Sequence, residues 1–116
     1  RYNNRTHFYS IASRMMRQVL IDKARMRLAR KRGGGDAIQL ADLSDFGVAA
    51  DETLLALDEA LNRLAVTNGE QANLIEMRYF GGMTAEDCAE ATNRSVHMVR
   101  KDLRLAQAWL RRELAL

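Results

Sequence analysis

The chain has no proline, a single cysteine and only seven aromatic residues among its 116. A soluble chain of this length carries about six prolines, so nothing of that kind interrupts its helices. One cysteine excludes a disulfide framework and a cysteine-based zinc site, and suits a reducing, cytoplasmic setting. No apolar run approaches the ~18 residues of a membrane-spanning helix, and no signal peptide is visible. β-branched aliphatics are scarce as well. Valine and isoleucine total nine, whereas alanine and leucine total 32. That excess of helix formers predicts an all-α fold.

What is abundant is charge, and its distribution is uneven. The overall net charge is +3, but residues 1–32 carry +9, residues 33–92 carry −10 and residues 93–116 carry +4. Two basic ends flank an acidic middle, a pattern that suits a polyanion gripped at two places. Arginine outnumbers lysine fifteen to three. The planar guanidinium fork matches phosphates and guanine edges.

Periodicity divides the chain into three parts. Residues 5–31 read as one long helix in which Phe8, Ile11, Ala12, Met15, Val19 and Leu20 form an apolar stripe. Cations crowd its end, and Gly33, Gly34 and Gly35 stop it. Residues 33–50 have no clean period and read as a flexible linker with a weak turn around Leu40–Leu43. The glycine run lacks the G-x-x-x-x-G-K-[ST] spacing of a phosphate loop. Residues 51–116 read as a four-helix domain of marginal size for independent folding. Helix breaks fall at Thr67-Asn68-Gly69 and Gly81-Gly82, and a tight turn at Thr92-Asn93-Arg94. The N-terminal helix has no obvious partner for its stripe. It either docks on the rest of the chain or packs on helices upstream of Arg1. The second alternative is favoured here, because the chain opens on Arg1 rather than methionine and reads as a fragment.

The segment 84–104 has the layout of a helix-turn-helix. Thr84 and Asp87 form a capping box on a short helix, and Asn93 suits a left-handed turn. Ser95 caps a long helix whose Val96, Val99, Leu103, Ala106 and Leu110 make a buried seam. His97, Arg100, Lys101 and Arg104 then share the outward face, in position for phosphates and base edges, with Met98 beside them for a thymine methyl. The plainer alternative is a solvated basic face on an ordinary helical bundle.

LNRLAVTNGEQANLIEMRYFGGMTAEDCAEATNRSVHMVRKDLRLAQAWLRREL resembles region four of bacterial extracytoplasmic-function (ECF) sigma factors. NRTHFYSIASRMMRQVLIDKARMRLARKRGGG resembles the later part of region two of the same family. The resemblance implies a promoter-specificity subunit of RNA polymerase with residues 1–32 as partial region two, 33–50 as linker and 51–116 as region four. It implies an upstream-element contact by Arg94, Ser95, His97, Met98, Arg100, Lys101 and Arg104. It also implies that Tyr2, Asn3, Asn4, Arg5, His7, Phe8 and Tyr9 lie near the strand-opening segment, where aromatics stack on exposed bases. Arg14, Arg17, Lys23 and Arg25 follow in reach of the DNA backbone. Implied partners are promoter DNA, the polymerase β flap and β′ clamp, and an anti-sigma factor is left open. The turn departs from the family's Leu-Gly-hydrophobic pattern at Thr92 and Arg94.

Other features have plain readings. Cys88 is a small buried hydrophobe on the bracing helix. His7 and His97 have no carboxylate cluster, so no metal is expected. Asp51, Glu52, Asp58, Glu59, Glu70 and Glu76 read as a solvated acidic face. No nucleophile–base or carboxylate pair has catalytic spacing, so neither an enzyme, a cofactor nor a small-molecule substrate is expected. A membrane-surface role for the basic helix is disfavoured, because its aromatics cluster at one end. The rival functions are a stand-alone helix-turn-helix regulator and a truncated interaction fragment that binds polymerase or an anti-sigma partner.

Overall fold

The computed structural model describes residues 4–32 and 48–115. Among these residues there are five helices and no strand. Helix α1 spans Asn4–Arg32 without a glycine or proline to interrupt it. Helix α2 spans Val48–Thr67, so its first turn lies inside the stretch the sequence reading assigns to the linker. The rest of that linker, with the turn around Leu40–Leu43, lies outside the described residues.

Asn68 caps α3, Gly69–Ile75, by accepting the Gln71 amide at 3.1 Å. This helix runs without a break into a π-helical turn, Glu76–Phe80, which the sequence reading takes as ordinary α-helix. The Gly81 amide bonds to the Glu76 carbonyl at 3.2 Å, a five-residue step. Helix α4 covers Ala85–Thr92 and α5 covers Val96–Leu114. Helices α2 to α5 enclose one apolar core around Leu61, Leu74, Ile75, Met77, Cys88 and Val99. The seam predicted for the last helix is real: Val99, Leu103, Ala106 and Leu110 are buried, and Val96 and Trp109 pack at the margin.

Helix α1 is not left without a partner. It packs across α2, the π-helical turn and α4, with Leu20 at the edge of its apolar stripe against the core but most of that stripe turned outward. Phe8 and Met15 are 63% and 65% exposed, with Ile11 and Val19 outward beside them. The face that docks carries Thr6, Ser13, Ile21 and Ala24, all buried. Small side chains let the backbones approach closely. A Cβ on Gly81 would stand 1.9 Å from Ser13 Oγ, so only glycine fits beneath α1 at that crossing. Ser13 Oγ donates to the Tyr9 carbonyl at 2.7 Å and lies 3.7 Å from Met83 Sδ.

The remaining docking contacts are charged, which corrects the reading of the acidic residues as a solvated face. Asp51 and Glu76 are buried and Asp58 nearly so. Arg17 donates from Nε to Asp58 Oδ1 at 2.8 Å and from Nη1 to Glu76 Oε2 at 3.1 Å. Its Nη2 reaches the Asp58 carbonyl and Asn62 Oδ1, each at 3.1 Å. Ten residues on, Arg27 grips Asp51 with two contacts of 2.8 Å. The hydrogen bond that Arg27 donates to Asp51 raises the Arg27 pKa, against the desolvation that lowers it. Glu52, Glu59 and Glu70 remain exposed, as the sequence reading has them. The strongly basic N-terminal segment is thus partly neutralised by the acidic middle of the same chain.

Candidate nucleic-acid interface

The local order of the 84–104 segment follows from its caps. Thr84 Oγ1 accepts the Asp87 amide at 3.0 Å, and Asp87 Oδ2 accepts the Thr84 amide at 3.2 Å. This reciprocal capping box starts α4. Asn93 ends it at φ 56°, ψ 44°. The Asn93 and Arg94 amides bond back to the Glu90 and Ala89 carbonyls at 3.4 and 3.0 Å, closing the helix end in a left-handed turn. Ser95 Oγ then accepts the Met98 amide at 3.2 Å and starts α5.

The exposed face of α5 carries His97, Met98, Arg100, Lys101 and Arg104. Lys101 and Arg104 make no ion pair with any described residue. Arg100 Nη2 donates to Glu86 Oε2 on α4, so its fork is held at one side. Arg94 is placed differently from the others. It is half-buried and donates through Nη2 to Asp102, while its Nη1 is buried without a hydrogen-bond partner. An apolar residue commonly packs at that point of a left-handed helix end. Arg94 stands there instead and turns its head onto Asp102. The Ser95 oxygen serves the cap. Sequence reasoning missed Glu86 and Asp102, because no local pattern marks an acid that meets an arginine eight or fourteen residues away.

The far end of α5 is tied to the body. Gln107 Nε2 donates to Tyr79 Oη, and Arg63 Nη2 lies 2.9 Å from Glu113 Oε1. The exposed basic face therefore projects from a helix anchored at both ends.

The second set of expected site residues lies on α1. Tyr2 and Asn3 fall outside the described residues, and Asn4 opens the helix. Arg5, His7, Phe8 and Tyr9 are exposed on its first two turns, with the Phe8 and Tyr9 rings 5.8 Å apart and tilted. Arg14 is 80% exposed, with only a loose 3.9 Å approach to Glu76. Lys23 is exposed, and Arg25 lies 3.6 Å from Asp22 and 3.8 Å from Asp58. Arg17 is the exception, since its guanidinium is engaged by Asp58, Asn62 and Glu76 and little of the side chain reaches solvent. A polar groove of about 400 Å³ runs beside it, walled by Arg14, Arg25, Asp58 and Glu76.

Cys88 lies in the core, and burial pushes its thiol up to about 11, with Arg78 acting in the opposite direction and Asp87 adding to the rise. No helix among the described residues is long and apolar enough to cross a membrane. No group of three or more His, Cys, Asp or Glu among them is placed to hold a metal ion.

The chain matches no curated protein and no solved structure. The family model described as ECF sigma factor matches residues 1–116, both basic ends and the acidic middle included. The chain belongs to the ECF sigma factor family, whose members are transcription initiation factors that work with RNA polymerase and promoter DNA.

Proposed function

We propose that the chain selects promoters for RNA polymerase through a helix-turn-helix made of α4 and α5, with the outward face of α5 set in the major groove of the upstream element. In this reading residues 51–116 act as region four, residues 1–32 as the later part of region two, and residues 33–50 join them. One observation carries it. His97, Met98, Arg100, Lys101 and Arg104 are all exposed on the first half of α5, opposite the buried Val99, Leu103 and Ala106. Asp102, the single acid on that helix half, is folded against Arg94. Arg94 and Ser95 then shape the turn, and contacts to bases and phosphates fall to the other five.

The exposed residues of the first turns of α1 fit contact with opened strands at the downstream element. Phe8 and Tyr9 offer stacking faces, and Arg5, His7 and Arg14 offer positive or polar edges. Arg17 drops out of that set because it is held by the chain's own carboxylates. Binding to the β flap, the β′ clamp or an anti-sigma factor belongs to the same reading.

The test is capture of core RNA polymerase by the full chain, followed by binding and transcription on promoter DNA. The reading requires DNA selection that depends on polymerase and weakens on substitution of Arg100. A stand-alone regulator would select DNA without polymerase. An interaction fragment would capture polymerase and add no DNA preference.

A further inference from the structure

The geometry points to Glu86 as the residue that positions Arg100 for base reading, and therefore as a specificity determinant of the α5 face; this rests on the reading of α5 as the DNA-reading helix. Glu86 Oε2 accepts from Arg100 Nη2 across the gap between α4 and α5. The two side chains are 63% and 51% exposed, so the pair is not what holds the helices together. The buried Cys88, Ala89, Val99 and Leu103 already do that. Nor does Glu86 take part in the capping box, which Thr84 and Asp87 complete between themselves.

A carboxylate at the edge of a surface that meets a polyanion is electrostatically unfavourable for binding in general. Its presence there is accounted for by what it does to Arg100. A free arginine side chain loses rotamer freedom when it settles on a guanine, whereas one already held has lost it beforehand. Glu86 engages one edge of the fork at Nη2 and leaves the other N–H donors available for the O6 and N7 acceptors of guanine. The carboxylate beside the fork is also an acceptor for the cytosine amino group and repels base-edge acceptors. Both effects favour a G·C base pair at the position Arg100 meets. Glu86 thus lowers affinity for DNA of any sequence and raises discrimination at one step.

The experiment uses the full chain on core RNA polymerase, selected against promoter DNA randomised over the upstream element, with thermal melts to confirm that each variant folds. Arg100→Ala should remove roughly fivefold or more of the preference at one base pair. Glu86→Ala should reduce preference at that same base pair by about two- to fivefold, the range open to an exposed ion pair. It should at the same time tighten binding to unrelated duplex. Glu86→Gln, which keeps an acceptor without the charge, should retain part of the preference and still tighten unrelated binding. In the double variant Glu86→Ala/Arg100→Ala, the loss of preference should be no larger than with Arg100→Ala alone. If Arg100→Ala flattens a base preference and Glu86→Ala leaves it intact, the positioning role is overturned while the reading of α5 stands. If Arg100→Ala changes no base preference, the reading of α5 by Arg100 fails and the role of Glu86 falls with it.

Discussion

Arg27 of α1 and Asp51 of α2 meet fork to fork, Nε on Oδ2 and Nη2 on Oδ1, both at 2.8 Å. The carboxylate is almost fully buried, whereas the guanidinium keeps an open edge, with side-chain exposures of 3% and 28%. That asymmetry makes the two truncations unequal. Arg27→Ala leaves a buried carboxylate without its cation and should lower unfolding free energy by about 3 kcal/mol. Asp51→Ala lets Arg27 swing into water and should lower it by about 1 kcal/mol. Urea melts of the full chain measure both, and equal losses would show that the pair does not hold α1 as described.

Gly81 sets how closely α1 can lie. A methyl group there would meet Ser13 Oγ at 1.9 Å and the Met77 carbonyl at 2.8 Å. Gly81→Ala should therefore destabilise the chain by about 1–3 kcal/mol. Ser13→Gly removes the first clash and leaves the second, so the penalty of Gly81→Ala should shrink in that background without vanishing. An unchanged melt for Gly81→Ala would place α1 farther from the body.

The sequence displays the elements whose causes are local. The capping box at Thr84 and Asp87, the left-handed Asn93, the Ser95 cap and the buried seam of α5 all depend on residues three or four apart, and each stands where the spacing puts it. The docking of α1 is not legible in that way. Phe8, Ile11, Met15 and Val19 have the stronger periodicity, yet they face outward. Apart from Ile21, the face that docks is made of threonine, serine, alanine and arginine, residue types that also populate solvated helix faces. Arg17 and Arg27 find their acids 24 to 59 residues away. No periodicity encodes such a distance. The exposed half of the candidate site follows from the seam by subtraction, whereas the partner of Arg100 depends on how α4 and α5 cross and that of Arg94 on how the turn folds back over α5.

Asn93 gives a test of the turn. At φ 56° a β-branched side chain clashes with the backbone, whereas glycine does not. Asn93→Val should cost about 1–2 kcal/mol, and Asn93→Gly should hold stability within about 0.5 kcal/mol of the parent. Chemical denaturation reads both, and a neutral Asn93→Val would mean that α4 ends differently.

Cys88 introduces an alkaline dependence. Its thiol titrates near 11 in the folded chain against an ordinary value of 9.0. Below pH 9 both folded and unfolded thiols are protonated and the contribution is complete. As pH rises toward 11 the unfolded thiol ionises first, and roughly 2 kcal/mol of stability is lost. Urea melts at pH 8 and pH 10.5 should show that decline, and Cys88→Ala should flatten it. An equal decline in the variant would assign the effect to other groups. The same burial should protect the thiol from alkylation until the chain unfolds.

Lys101 is exposed on α5 and unpaired among the described residues. If it meets a phosphate, Lys101→Ala should weaken polymerase-bound promoter binding about equally for all sequences and flatten the salt dependence by about one unit of log–log slope. A change in base preference instead would make it a reader of base edges.

The π-helical turn at Glu76–Phe80 holds one residue more than an α-helical turn would need. It acts as a spacer with a built-in tolerance of one. Removing the exposed Arg78 would let the segment rewind as α-helix, with the Gly81 amide still bonded to the Glu76 carbonyl, now over a four-residue step. Gly81 would keep its place under Ser13, and Glu76 and Phe80 theirs beside α1 and the core. An added residue has no such outlet, because the turn already holds its surplus, and it would rotate the chain after it by about 100°. The stretch between the N-terminal helix and the α4–α5 pair thus forgives a deletion of one and not an insertion.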